Sequence, residues 1–283
     1  MNIEQVSANK MFGGMQLKFK HQSQTLGCDM IFSVYLPPNA SAERKVPVIY
    51  WLSGLTCTDD NFVQKAGAQQ YAAEAGVAIV CPDTSPRGEG VPDDENKAYD
   101  FGLGAGFYVN ATQQPWQKHY QMYDYITQEL PRVLEHSKLP LDTATCSIMG
   151  HSMGGHGALT IALKNPGVYK AVSAFSPICS PMNCPWGHKA LGGYLGNDRS
   201  TWEQYDSTAL IAQAQEKLHI LVDQGQADNF LIEQLKPELL QAACQAARHP
   251  LTLRLHAGYD HSYFFIATFI ADHIAHHADA LWD

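Results

Sequence analysis

The chain has 283 residues, 45% hydrophobic and 17% charged, which supplies a sizeable core and excludes a disordered polymer. A formal net charge of −9 with no basic stripe leaves nothing to neutralise a phosphate backbone, so no nucleic-acid partner is expected. No apolar run reaches the ~20 residues of a membrane span, so no membrane partner is expected either.

The start at Met1, "MNIEQVSANK", has neither the basic nor the apolar stretch of a secretory signal. Seven cysteines, an odd and scattered set, read as free thiols in a reducing compartment. A cytoplasmic location is expected, and the glycosylation triplets at Asn39 and Asn110 are then coincidental.

In chain order, seven short runs rich in apolar and β-branched residues read as strands: "MIFSVYLP", "VPVIYWLSG", "VAIVCPD", "ATCSIMG", "YKAVSAFSP", "LHILVDQG" and "LTLRLHAG". From the third onward they read as parallel strands buried on both faces, with an antiparallel lead-in before them. Between them the spacing predicts helices over 60–76, behind the cap candidates Asp59 and Asp60, and over 119–137, 154–165 and 230–248, with another closing the chain. Strand and helix in alternation imply an α/β fold: a mostly parallel, doubly wound sheet with helices on both faces. No repeat or linker divides residues 1–283, so a single domain is expected. Residues Thr84 to Trp116 carry glycines and aromatics without a period and read as an ordered loop over a site.

The chemistry centres on "GHSMG", Gly150 to Gly154, a G-x-S-x-G between a strand run and a helix run. That setting is a nucleophile elbow: the turn lifts Ser152 above the sheet edge, and the helix N-terminus behind it favours developing negative charge. A nucleotide-binding turn is the competing reading, but no G-x-G-x-x-G precedes the helix and no P-loop lysine follows.

A serine needs a base, and the base needs a carboxylate, in the chain order serine, acid, histidine. His261, in the loop after the last strand, fits the base; His256 lies within the strand and His151 flanks the serine. Asp228 is the preferred acid because its loop can reach across the sheet edge, with Asp223 at the strand end as the alternative. Asp260 adjoins His261, and neighbouring side chains on a loop rarely meet in the required orientation. The oxyanion hole takes the N–H of Met153, after the nucleophile, and that of Leu55 in the loop after the second run.

Other features carry less. Cys57 lies in the oxyanion loop and is a substrate-proximal thiol rather than a catalytic one, and Trp186 could wall the leaving-group pocket. Cys179 and Cys184 lack a second pair, and His273, His276 and His277 read as a solvated terminal helix, so no metal site is expected. "GLGAGF" from Gly102 imitates a dinucleotide loop but follows no βαβ strand; it reads as a flexible loop near the substrate.

The segments "LSGLTCT", "FGLGAGFYVNAT", "GHSMGGHGAL", "DQGQADNF" and "GYDHSYFF", in this order, resemble the S-formylglutathione hydrolases, the esterase D family of the α/β-hydrolases, from about Phe12 to the last helix. The resemblance implies a serine thioesterase that splits S-formylglutathione into glutathione and formate through a formyl-serine, in formaldehyde detoxification. It places the nucleophile, acid and base on Ser152, Asp228 and His261. It also implies sensitivity to thiol reagents through Cys57, no metal or organic cofactor, and a cytoplasmic homodimer or other small homo-oligomer. A broad short-chain carboxylesterase, or an acyltransferase on the same triad, is the alternative activity. A silent scaffold is disfavoured because serine, acid and histidine are all present.

Overall fold

A computed structural model of the protein describes residues 3–283; Met1 and Asn2, on which the reading of the chain start partly rests, lie outside the described residues. Nine strands form one sheet: β1 (Glu4–Met11), β2 (Gly14–Ser23), β3 (Cys28–Leu36), β4 (Val46–Leu52), β5 (Ala78–Pro82), β6 (Leu141–His151), β7 (Tyr169–Phe175), β8 (Ile220–Gly225) and β9 (Leu251–His256). Their order is β1-β2-β3-β5-β4-β6-β7-β8-β9. The first three, and the β3–β5 pair, are antiparallel; every pair from β5–β4 to β8–β9 is parallel. The expected parallel sheet with an antiparallel lead-in is present, but parallel pairing already includes the second sequence run, β4.

Two layers of helix cover the sheet, and the period-2 alternation of the strands sorts side chains between them. In β4, Val46, Val48, Tyr50 and Leu52 enter one core, while Ile49 and Trp51 enter the other. The second core lies under α1 (Asp60–Lys65), α2 (Ala68–Ala75) and the closing helix, which supplies Phe265, Ile266, Ile270 and Ile274. On the opposite face are α3 (Met122–Asp124), α4 (Leu130–His136), α5 (Met153–Lys164), α6 (Pro185–Leu195), α7 (Ser207–Ile211) and α8 (Pro237–Ala247). The closing helix is α9 (Tyr263–Trp282). Among the described residues no helix is long and apolar enough to cross a membrane.

Several boundaries differ from the sequence expectation, each for a local reason. The helix expected over 60–76 is two helices, because Gly67 takes φ 66°, where the helical ladder stops. Asp59 does not cap α1; its carboxylate instead accepts from Ser33 Oγ at 2.7 Å and pairs with Lys18 at 3.2 Å. The helix expected over 230–248 breaks at Lys236, φ 50°, between a π-helical turn (Leu231–Leu235) and α8. Strand β9 is not buried on both faces, since it forms the sheet edge and most of its residues are half-buried.

The long loop Thr84 to Trp116 is without a named element until its last residue, and much of it packs inward. Phe107, Tyr108 and Val109 are fully buried, and Phe101 stacks edge-on against Trp116 at 4.6 Å.

Candidate active site

Strand β6 ends at His151, and α5 begins at Met153, so Ser152 alone makes the turn between them. It does so at φ 58°, ψ −118°, a conformation that non-glycine residues rarely take and that costs on the order of 1–3 kcal/mol. The surroundings hold it there. The Ser152 N–H donates to the Phe175 carbonyl at 3.0 Å, and its own carbonyl accepts from His156 N–H at 3.0 Å and Ile178 N–H at 3.2 Å. A Cβ on Gly154 would strike the Leu52 backbone, and one on Gly150 would strike Gly154, so strand and helix meet only because both are glycine.

The loop after β4 faces this turn. A Cβ at Gly54 would lie 3.1 Å from the Ser152 Cβ, which puts the backbone of Leu55 one residue from the serine's side chain. The loop is clamped from behind. Thr56, at φ 67°, donates its N–H to the Gly104 carbonyl at 2.9 Å, and the Cys57 carbonyl accepts from Thr84 Oγ1 at 2.5 Å and from Arg87 at 3.2 Å. Tyr108 Oη donates to the Ser53 carbonyl at 2.9 Å. The "GLGAGF" segment packs on the loop after β4: a Cβ on Gly104 would come within 3.1 Å of Thr56. Neither the Leu55 nor the Met153 N–H donates to a protein acceptor among the described residues.

The loops after β8 and β9 bring Asp228 and His261 together. His261 Nδ1 lies 2.6 Å from Asp228 Oδ2, and the Asp228 side chain is fully buried while that of His261 is 19% exposed. Asp228 is oriented further by the Phe230 N–H at 2.8 Å and the Gln224 amide at 3.3 Å. With Nδ1 donating to the carboxylate, Nε2 is left as the acceptor a general base needs. Ser152 and His261 line one cavity; among the described residues no hydrogen bond joins them. Catalytic bonds often tighten only once substrate is bound.

Asp223 goes elsewhere. Its carboxylate is fully buried, held by Arg254 at 2.5 and 2.6 Å, with His256 at 3.2 Å and His273 at 3.3 Å. Burial pushes this carboxyl up, but the His273 and Arg254 contacts outweigh it and hold it well below the usual carboxylate range. Asp260 caps the His261 turn, accepting from Ser262 N–H at 3.0 Å and Ser262 Oγ at 2.6 Å.

The cavity has a volume of about 340 Å³, in the range of small-molecule sites. Besides Ser152, His261 and Leu55, the predicted Cys57 and Trp186 line it, Trp186 sharing its indole N–H with Tyr99 Oη at 3.2 Å and packing on Phe230. Tyr99, from the long aromatic loop, is on the wall, so that loop does reach the mouth. Sequence reasoning missed Asn61, Lys65, Tyr99, Phe230 and Tyr263 as lining residues. Tyr263 and Phe230 neighbour the motif residues His261 and Asp228, which was the available signal; Asn61 and Lys65 had none.

His151 also lines the cavity, its ring 4.4 Å from that of His261. Complete burial, and secondarily the neighbouring His261, pushes it well below the ordinary histidine range. Burial raises the Cys57 thiol, which keeps it protonated at neutral pH.

The terminal histidines correct the sequence reading. His273 and His277 are fully buried, not solvated, because α9 packs them on β7. Ser173 Oγ lies 2.8 Å from His273 Nδ1 and 2.7 Å from His277 Nε2. Among the described residues no group of three or more His, Cys, Asp or Glu could hold a metal ion, and Cys184 instead accepts the Gly187 N–H at the start of α6.

The sheet, the strained serine turn and the acid–histidine pair define an esterase of the α/β-hydrolase class, and the esterase family described as "Putative esterase" matches residues 23–276. The chain is 56% identical to the S-formylglutathione hydrolase of Arabidopsis thaliana over 280 residues, covering 99% of this chain and 98% of that one. It is 53% identical to that of Rattus norvegicus over 283 residues, 99% of each. A solved S-formylglutathione hydrolase from Agrobacterium tumefaciens superposes with a TM-score of 0.94 at 50% identity, over 99% of this chain and 100% of that one. The chain belongs to the S-formylglutathione hydrolase family.

Proposed function

We propose that this enzyme hydrolyses S-formylglutathione to glutathione and formate, with Ser152 as nucleophile, His261 as base and Asp228 as the carboxylate that orients it. The carrying observation is that His261, on the wall of the cavity that holds the strained Ser152, lies 2.6 Å from the buried Asp228 carboxylate. His261 Nε2 takes the Ser152 proton as Oγ attacks the formyl carbon. The Leu55 and Met153 N–H groups, fixed before charge develops, hold the oxyanion. The imidazolium then protonates the departing sulfur and glutathione leaves; a water deprotonated by His261 attacks the formyl-serine, and the same proton returns to Ser152 Oγ as formate departs. No step calls for a metal or organic cofactor.

Residues 1–283 act in this reading as one domain. Seven free cysteines support a reducing compartment, the cytoplasm. The homodimer or other small homo-oligomer that the resemblance implies is tested by sedimentation of the purified protein.

Steady-state rates on S-formylglutathione and on a neutral short-chain aryl ester test the substrate. A kcat/KM strongly favouring the thioester is expected. Turnover of the aryl ester without the thioester would leave a general esterase and remove the glutathione assignment.

A further inference from the structure

We infer that Lys65 recognises a carboxylate on the peptide arm of the substrate, an inference that rests on the thioester reading above. Lys65 ends α1 and lines the cavity beside Ser152. Among the described residues it is the only lysine or arginine on that wall, and no carboxylate lines it. It also lines a second, open groove of about 570 Å³ with Ser262, Tyr263, Phe264 and Ala267. Lys65 and Tyr263 are common to both spaces, so the ammonium stands where the cavity at the serine continues outward. A substrate arm that leaves Ser152 through this side of the cavity passes the Lys65 ammonium.

The charge balance gives the position its weight. A chain with net charge −9 repels an anionic substrate at long range. S-formylglutathione has two carboxylates and one ammonium, and is a net anion at neutral pH. Lys18, Lys20 and Lys189 are each paired with an aspartate, at 2.6, 2.7 and 2.5 Å. Lys65 has no such partner among the described residues; its Nζ lies 5.7 Å from the Tyr263 ring centroid, a contact that steers the ammonium along the wall without neutralising it. The reacting formyl group is neutral, so this contact discriminates between substrates rather than assisting the chemistry.

The test is steady-state kinetics of Lys65→Ala, Lys65→Glu and Lys65→Arg on S-formylglutathione and on the neutral aryl ester, at low and high ionic strength. Lys65→Ala should raise KM for the thioester ~5-fold, the upper end for an exposed ion pair, and Lys65→Glu by ~10-fold or more, with kcat within about twofold. Lys65→Arg should restore KM, and the aryl ester should change by less than about twofold in every variant. Salt screens the Lys65 attraction together with the long-range repulsion, so the ratio of the Lys65→Ala KM to the wild-type KM for the thioester should shrink as salt rises. An unmoved KM in Lys65→Glu, or equal losses on both substrates as a merely structural residue would give, overturns the role of Lys65 while the thioester reading stands. A wild type that turns over the aryl ester and not S-formylglutathione overturns both.

Discussion

Two sets of serine, histidine and aspartate lie on this one sheet, and their surroundings are opposite. Ser152 and His261 line a cavity at the strand ends, and Asp228 lies behind His261. Ser173, His273 and Asp223 lie within β7, α9 and β8, with all three side chains inaccessible and none on that cavity wall. The contacts in the second set look catalytic on distance alone: 2.8 Å from serine to histidine, then 3.3 Å from histidine to aspartate. Yet Ser173 Oγ is shared with His277, and the Asp223 charge is spent on Arg254. The first set has the reverse pattern: a strained backbone and, among the described residues, an unshared hydroxyl and neighbouring N–H groups without acceptors. Residue identity does not make a triad; a reachable carbonyl site and an unengaged serine do.

The widest separation between the two sets should appear on removing the hydroxyls. Ser152→Ala should lose ~10⁵-fold in kcat on S-formylglutathione, as expected when a triad nucleophile is deleted. Ser173→Ala should keep kcat within about threefold and lose ~1–3 kcal/mol of unfolding free energy, because two buried histidines lose a partner. The carboxylates should divide the same way. Asp228→Asn should cost ~10⁴-fold in kcat with little change in a urea melt. Asp223→Asn should leave the folded enzyme active but ~3 kcal/mol less stable, having broken a buried ion pair.

How much of this was legible in the sequence depends on what kind of signal each residue has. Ser152, Asp228 and His261 lie at fixed places in the strand–helix rhythm; in the structure Ser152 and His261 line one cavity and Asp228 contacts His261. Strands β1 and β2 were missed because their pattern is polar: the inward His21 and Ser23 of β2 are satisfied by Tyr125 Oη at 2.9 Å and Glu129 at 2.6 Å, across more than a hundred residues of chain. No local pattern announces such partners. The terminal histidines were misplaced for the same reason, since their helix is apolar enough to be buried on the face that bears them only once Ser173 is known to oppose it. Lys65 was invisible because a lysine at a helix end is ordinarily solvated.

The buried histidines sharpen the comparison through pH. Burial holds His156 down to about 4 and pushes His273 and His277 below the ordinary range, so all three are neutral in the folded protein at pH 7. A folded pKa below the unfolded value of about 6.5 means that the unfolded chain binds more protons on acidification. Their stabilisation is therefore complete above about pH 6.5 and declines as pH falls toward the folded values. Asp223, depressed as well, adds a further loss below about pH 4. Melting temperature measured from pH 8 to pH 4 should fall on the acid side, and His277→Phe should reduce the slope between pH 6.5 and 5. An unchanged slope would mean that His277 is already protonated when folded.

The smallest expected effect concerns Cys57. Cys57→Ala should change kcat by less than about tenfold, since the thiol lines the cavity and no step of the proposed reaction uses it. Because burial raises this thiol, alkylation by iodoacetamide should be slow at pH 7 and quicken as pH rises toward 9 and beyond. Loss of activity in Cys57→Ala comparable to that of Ser152→Ala would make the thiol the nucleophile.

The most direct test of which set does the chemistry is a covalent one. The wild-type enzyme would be treated with a fluorophosphonate, digested, and the modified peptide identified by mass spectrometry. Labelling at Ser152 alone, with stoichiometric loss of activity, is the predicted result. An adduct on Ser173, or full inactivation with Ser152 unmodified, would contradict the account.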